Sequence, residues 1–270
     1  IKVIGATIMP FVGNDYYHAD AQNEADRQAV NAWIRTPGHF DGLVDFDRAT
    51  RDPARPDRLR PAYDGGDALH PDAVAAVPDD AVIMAADSGL DHARSAGLTP
   101  TVLIGDLDSV SAEGLAWAEG NSAIERHPVD KDATDTELAL RHAVGLNPSR
   151  IVLMSGGGDR IDHTLAAIGA LGEVALTSVP VLEAWWGRQR VRVVQGPGRA
   201  RVAVTPGSTV SLLAVHGPCA GVSLSGTRWP LERADLEAMS GLGVSNVALD
   251  ETVEVSVSTA VVSLFWQEGT

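Results

Sequence analysis

Cysteine is nearly absent: Cys219 is the single one in 270 residues. An intrachain disulfide is therefore excluded, which suits a reducing cytoplasm. Long apolar runs are also missing, and none reaches the roughly 20 residues that a membrane-spanning helix needs. The sequence opens at Ile1 with no charged-then-apolar leader, so a cytoplasmic location is expected, with the start lying inside a longer reading frame or following processing. Positive charge is scarce: Lys and Arg total 21 against 36 Asp and Glu, a formal net charge of −15. That balance argues against nucleic acid or an anionic membrane as a general partner. The pattern G-x-x-x-x-G-K-[ST] does not occur, which excludes a P-loop kinase. At 44% hydrophobic residues the composition is that of a globular protein, long enough for two domains.

What is present is a set of aspartates at chosen places. Asp87-Ser88-Gly89, Gly105-Asp106-Leu107-Asp108-Ser109 and Asp130-Lys131-Asp132-Ala133-Thr134-Asp135 each stand where an apolar strand is expected to end or a helix to begin. Asp106 and Asp108 are two apart, so on extended backbone both project to one face. At roughly 7 Å and an effective dielectric of about 20 their repulsion is on the order of 2 kcal/mol. Bringing Asp87, Asp132 and Asp135 to the same place would multiply that penalty unless a cation sat among them. Single aspartates commonly cap helices and fill turns. Three clusters at strand ends point instead to a metal–phosphate site, and hard oxygen ligands favour Mg²⁺. Gly156, Gly157 and Gly158 follow another apolar strand and leave backbone N–H groups open to an anion. With Arg160, Asp162 and His163 next in line they read as a nucleotide loop. Lys131 and Arg160 are the candidate cations for phosphate. His92 and His163 as general bases are the lesser reading beside core or capping histidines.

These motifs, ADSG (86–89), IGDLDSV (104–110), KDATD (131–135) and GGGDRIDH (156–163), resemble the thiamine pyrophosphokinases from about residue 72 to the C-terminus. The resemblance implies transfer of diphosphate from ATP to the hydroxyethyl group of thiamine, with Mg²⁺ and release of AMP. It implies that Asp106, Asp108 and Asp135 hold or orient the metal, and that Asp87 and Asp132 complete the catalytic pocket. Ser88, Gly89, Ser109, Lys131, Thr134, Gly156, Gly157, Gly158, Arg160, Asp162 and His163 would line the nucleotide site. Trp229, Ser245 and Asn246 match family positions near the thiamine slot, although Trp229 reads equally well as core. Trp185, Trp186 and Trp266 are read as packing. A homodimer is implied, with one subunit's sandwich helping to build the other's acceptor site. A pterin diphosphokinase of similar catalytic domain is the rival enzyme, and an inactive nucleotide-binding module is a reading from another class.

The pattern divides the chain into three. Residues 72–181 alternate apolar strands (Ala81–Ala86, Thr101–Ile104, Ile151–Met154) with helices (Leu90–Ala96, Ser111–Glu119, Thr134–His142, Ile161–Glu173), which predicts an α/β domain with a parallel sheet. Thr134 with Glu137 three residues on forms a capping box. Residues 182–270 switch to period two, punctuated by Pro-Gly and Gly-Pro pairs, and predict a small antiparallel β-sandwich. Residues 1–71 form an N-terminal α/β fragment, with strands at Lys2–Ile8 and Gly42–Phe46 and a helix at Ala21–Ile34 whose apolar stripe is Ala25, Val30, Trp33 and Ile34. This fragment resembles the C-terminal third of SGNH/GDSL-type hydrolases, with Asp67 and His70 in the places of that family's Asp and His. Gly13-Asn14-Asp15 falls too late for its Asn block. No nucleophile block accompanies the dyad, so esterase chemistry is not expected. A natural fusion, an assembly join and an engineered segment each account for such a junction, the join being the preferred account. The kinase-like part lacks the apolar first strand and Gly-rich turn that relatives carry about fifteen residues before Val82. Val3–Ile8 is the segment that could replace it; otherwise an apolar sheet edge stays open.

Overall fold

A computed structural model describes residues 2–12, 20–60, 69–155 and 161–267. The chain divides into two units, Ile1–Ala68 and Leu69–Thr270.

In the first unit β1 (Ile4–Ala6) pairs in parallel with β2 (Gly42–Val44), joined through α1 (Ala21–Arg35) and followed by α2 (Phe46–Thr50). Both strands are shorter than expected. The second stops because Asp45 accepts a hydrogen bond from the Arg48 backbone N–H and starts a helix at Phe46. The expected apolar stripe of α1 does not face inward. Val30 and Trp33 are exposed, whereas Arg27 and Asn31 are buried. The Arg27 guanidinium donates to Asp47 at 2.7 Å, to Glu24 at 2.7 Å and to the Ile8 carbonyl at 3.0 Å. Arg35 bridges Asp45 at 2.7 Å and Asp47 at 2.5 Å. The Asn31 amide pairs with both backbone groups of Ile8, at 2.7 and 2.8 Å, as a strand neighbour would. Ion pairs and amides thus occupy the place of an apolar core. His70, on the far side of the division, caps the short α3 (Pro71–Ala75) by accepting from the Asp72 backbone N–H. Asp67 and Gly13-Asn14-Asp15 lie outside the described residues.

The second unit opens with the three-stranded parallel sheet β3-β4-β5, formed by β3 (Met84–Ala86), β4 (Val102–Gly105) and β5 (Ala123–Arg126). Between the strands run α4 (Gly89–Ser95) and α5 (Ala112–Asn121), and α6 (Asp135–Gly145) follows β5. Leu90, Leu103, Leu107, Ala85 and Ala118 form the core under this sheet. The strand β5 was not anticipated, because its sequence Ala-Ile-Glu-Arg lacks a buried-strand pattern. The expected strand from Ala81 shortens to Met84–Ala86, and Val82 is 59% exposed. Among the described residues β3 has β4 as its one neighbour, and β1 has β2.

The remaining strands are β6 (Arg150–Ser155), then, after α7 (Ile161–Ala170), β7 (Val181–Trp186), β8 (Gln189–Gln195), β9 (Gly198–Ala203), β10 (Thr209–Leu213), β11 (Cys219–Ser225), β12 (Leu231–Leu236), β13 (Asn246–Val247), β14 (Thr252–Val257) and β15 (Val261–Gln267). They form a six-stranded sheet, β13-β10-β15-β8-β7-β6, and a four-stranded antiparallel sheet, β12-β11-β14-β9. Alternating residues of both sheets, among them Val194, Val202, Leu212, Val222, Leu224, Val253, Val255 and Leu264, share one buried cluster. Leu140 of α6, Leu171 and Leu176 pack with Ile151, Leu182, Val191 and Val193 in a second cluster. One expectation is corrected here. The strand over Ile151–Met154 does not join β3 and β4; it runs parallel to β7, in register from Arg150↔Val181 to Ser155↔Trp186. The boundary expected at 181/182 therefore falls at the start of a paired strand, since β7 is bound to β6 on one side and β8 on the other.

Candidate active site

Because β3, β4 and β5 are parallel and in register, their carboxyl ends share one edge, where ligands of open α/β sheets bind. Asp87 leaves β3 there, its backbone N–H bonded to the Ile104 carbonyl at 2.9 Å. Asp106 and Asp108 leave β4. Three residues at this edge have positive φ: Asp87 at 46°, Gly105 at 147° and Leu107 at 68°. A left-handed leucine costs on the order of 1 kcal/mol or more, and burial of Leu107 in the core beneath the sheet holds it in place. The outcome is convergence: one oxygen from each of Asp87, Asp106 and Asp108 lies within 4.8 Å of the others. Gly105 keeps the space open. A Cβ there would stand 3.0 Å from Asp135 Oδ1 and 3.3 Å from Asp87 Cβ.

Lys131 Nζ donates to Asp106 Oδ2 at 2.5 Å and lies 3.2 Å from Asp135 Oδ1. Asp106 Oδ1 accepts from the Asp108 backbone N–H at 3.2 Å, and Ser109 Oγ donates to Asp108 Oδ1 at 2.9 Å. The Lys131 hydrogen bond holds the Asp106 carboxyl below its usual range, and the same contact raises Lys131. Asp87 is pushed up, first by burial and then by the negative charges of Asp135, Asp108 and Asp106, against a hydrogen bond from Ser109. Its Oδ1 is buried with no hydrogen-bond partner. Four carboxylates, two of them beside one ammonium and two with a buried oxygen that lacks a hydrogen bond, make a donor set that fits a hard divalent cation. Asp87 joins Asp106 and Asp108 in the converging trio, and Asp135, expected as the third ligand, stands beside them with its Oδ1 3.2 Å from Lys131 Nζ and without a hydrogen bond.

Asp135 is placed by α6. Thr134 Oγ1 accepts from the Glu137 N–H at 3.2 Å and Glu137 accepts from the Thr134 N–H at 2.6 Å, the capping box read from the sequence. Ser88 precedes α4 and Gly89 begins it. Asp132 is exposed, as are Asp162 and His163 in the first turn of α7. Gly156, Gly157, Gly158 and Arg160 lie outside the described residues.

In the β-rich region Asn246 is 4% exposed and fully engaged. Its amide donates to the Trp229 carbonyl at 2.7 Å and Thr227 Oγ1 at 3.2 Å, and its oxygen accepts from the backbone N–H groups of Trp229 at 3.1 Å and Val247 at 2.9 Å. An amide has two donor hydrogens and two lone pairs, so Asn246 positions the Trp229 turn and has no free group for a ligand. Trp229 is 56% exposed, with the Arg228 guanidinium 5.6 Å from its ring centre, and is therefore not core. Ser245 is exposed at φ 60°, its N–H bonded to Ser211 Oγ at 3.0 Å. Sequence reasoning missed Asp91, which accepts from the Ser111 N–H at 2.8 Å and Oγ at 2.7 Å and so ties α4 to the start of α5. A contact across 20 residues leaves no local signal.

Residues 75–182 match the family described as "Thiamin pyrophosphokinase, catalytic domain", and residues 198–262 match "Thiamin pyrophosphokinase, vitamin B1 binding domain". A thiamine pyrophosphokinase of Bacillus subtilis is 24% identical over 180 residues, 66% of this chain and 83% of the relative. The crystal structure of thiamine pyrophosphokinase from Bacillus subtilis superposes with a TM-score of 0.64 at 21% identity, covering 75% of this chain and 94% of that one. The enzyme from Geobacillus thermodenitrificans gives 0.60 at 24%, covering 75% and 93%. The one from Candida albicans gives 0.56 at 15%, covering 69% and 82%. These structural likenesses speak for the fold, and the two matched regions together take in nearly two thirds of the sequence. The chain belongs to the thiamine pyrophosphokinase family.

Proposed function

We propose that Asp87, Asp106 and Asp108 hold Mg²⁺ against the diphosphate that this chain transfers from ATP to thiamine, the activity its family carries. The observation behind this reading is the convergence of three carboxylates from two adjacent parallel strands within 4.8 Å. Mg²⁺ bound there would neutralise charge on the transferring phosphates. The reaction joins the thiamine hydroxyl oxygen to the β-phosphorus of ATP, its proton passing to solvent, and breaks the bond from that phosphorus to the α–β bridging oxygen, which leaves with AMP. Such transfers depend on positioning and charge neutralisation more than on covalent chemistry. Lys131 adds positive charge beside the carboxylates, and Asp135 sets its position. Gly156 to Gly158 and Arg160 are assigned to the remaining phosphates, with Ser88, Gly89, Ser109, Thr134, Asp162 and His163 lining the nucleotide and Asp132 the pocket rim.

Trp229, its turn fixed by Asn246, is the proposed platform for the flat cationic rings of thiamine, with Ser245 beside it. An exposed aromatic ring on a rigid turn supports an acceptor site completed by a second subunit, hence a homodimer. The vitamin B1 binding match over 198–262 favours thiamine over a pterin acceptor. The division at Ala68/Leu69 supports treating 1–71 as non-catalytic, with 72–181 as the catalytic and 182–270 as the acceptor-binding region. No described helix is long and apolar enough to cross a membrane, and with a single cysteine this accords with a cytoplasmic enzyme. The test is an assay of AMP formation with Mg²⁺ and ATP on adding thiamine or a hydroxymethylpterin. Thiamine-dependent AMP is expected; AMP with the pterin alone, or with neither, rejects the reading.

A further inference from the structure

The carboxylate cluster already contains a cation, and it belongs to the protein. Lys131 is one of two lysines in the chain, the other being Lys2. Its side chain is 13% exposed and that of Asp106 is 10% exposed, so the pair is shielded from water and salt. Both oxygens of Asp106 are engaged, Oδ2 by the Lys131 ammonium and Oδ1 by the Asp108 backbone N–H. Each oxygen keeps a further lone pair for a metal, but an ion bound there would lie a few ångströms from the ammonium and be repelled by it. The segment carrying Lys131 is pinned at both ends: the His127 N–H bonds to the Gly105 carbonyl at 2.9 Å, and Thr134 is fixed by its capping box. The backbone stays in place while the flexible four-carbon stem lets the ammonium swing. A nucleotide's phosphates offer the ammonium a more highly charged partner than a carboxylate does.

We propose that Lys131 is a resident counter-cation that blocks the metal site until nucleotide phosphate draws it away, so that divalent-ion capture is coupled to nucleotide binding. The inference rests on the metal reading above. A unit positive charge about 4 Å from a divalent ion, at an effective dielectric of about 20, opposes binding by far more than tenfold before screening. The carboxylates alone would then be a poor ion trap, and they become a good one once the ammonium has moved onto phosphate.

The experiment titrates Mn²⁺ into the full chain by electron paramagnetic resonance, with and without ATP and with no thiamine present, for the parent, Lys131→Met and Lys131→Gln. The parent is expected to bind Mn²⁺ weakly alone and at least about tenfold more tightly with ATP. Both variants are expected to bind Mn²⁺ alone at least about tenfold more tightly than the parent, and to lose most of the enhancement by ATP. If the variants bind Mn²⁺ alone no more tightly while the parent responds to ATP, the role of Lys131 is wrong and the metal site stands. If the parent binds no Mn²⁺ under either condition, both readings fall. A second measurement needs no variant. With two lysines, ¹³C-lysine labelling gives two ε-carbon signals, and the Lys131 signal should move on adding ATP in EDTA. A signal that stays fixed overturns the proposal.

Discussion

Asp87 carries the clearest conflict between stability and function in the molecule. Its carboxyl is pushed up by burial and by three neighbouring carboxylates, and one oxygen has no partner. For an acid raised above its ordinary value near 3.8, the folded state binds more protons than the unfolded one through the window above that value. The metal-free protein is thus expected to lose stability as pH rises through that window. Asp87→Asn removes the charge, and asparagine tolerates the left-handed backbone at φ 46° better than most residues. This variant should melt at a higher temperature than the parent in EDTA while its turnover falls by orders of magnitude. Differential scanning fluorimetry beside an AMP assay checks both halves. A variant that melts no higher, or that keeps full turnover, removes Asp87 from the site.

At the scale of elements, α6 links local sequence to chemistry. Its capping box orients the first turn, and that turn bears Asp135 opposite Gly105 and Lys131. Thr134→Ala should cost about 1 kcal/mol, as loss of a Thr cap usually does, read as a lower urea midpoint with unchanged slope. This element was legible in the sequence because Thr134 and Glu137 act over three residues. The aspartate cluster was legible because strand ends in a parallel sheet point to one edge. The partner of β6 was not: Ile151–Met154 reads as a buried strand in any sheet, and its pairing depends on β7, thirty residues on. The interior of the N-terminal unit was also hidden, because Arg27, Asn31 and Asp47 look like a solvated face until their partners are known. Asn246 was found by position, whereas its four side-chain hydrogen bonds were not legible, since they arise from a tertiary turn.

At the scale of the whole molecule, His216 reports on the seam between α7 and the β-rich region. Its ring packs on Gly172, where a Cβ would stand 2.2 Å from Nδ1, and Nε2 lies 3.4 Å from Ser263 Oγ. Burial pulls the imidazole below its ordinary 6.5. For a base depressed on folding, stability is complete above the unfolded value and is lost as pH falls below it, where the unfolded chain takes up the extra proton. The melting temperature should therefore drop between pH 7.5 and 5.5, and His216→Gln should flatten that drop. A parent curve that is already flat across this range counts against it.

The acceptor site proposed to be shared between two subunits has its own test in a mixture of two variants. Asp108→Asn and Trp229→Ala chains, each inactive alone, should recover activity when unfolded and refolded together, since one of the two sites in a mixed dimer is intact. Failure to recover activity, with mixed dimers shown by mass spectrometry, would place both residues in one subunit's site.

Among the described residues of the N-terminal unit, Arg27 and Asp47 are buried, whereas Val3, Ile4, Trp33, Leu43 and Phe46 are exposed. Unfolding it consequently hydrates little new hydrocarbon. Heat-capacity increments track apolar hydration, commonly about 12–15 cal/mol/K per residue. Scanning calorimetry should resolve a transition for this unit whose increment per residue falls well short of that range, with an enthalpy that changes little with temperature. Melting of the remainder of the chain should show the ordinary, strongly curved response.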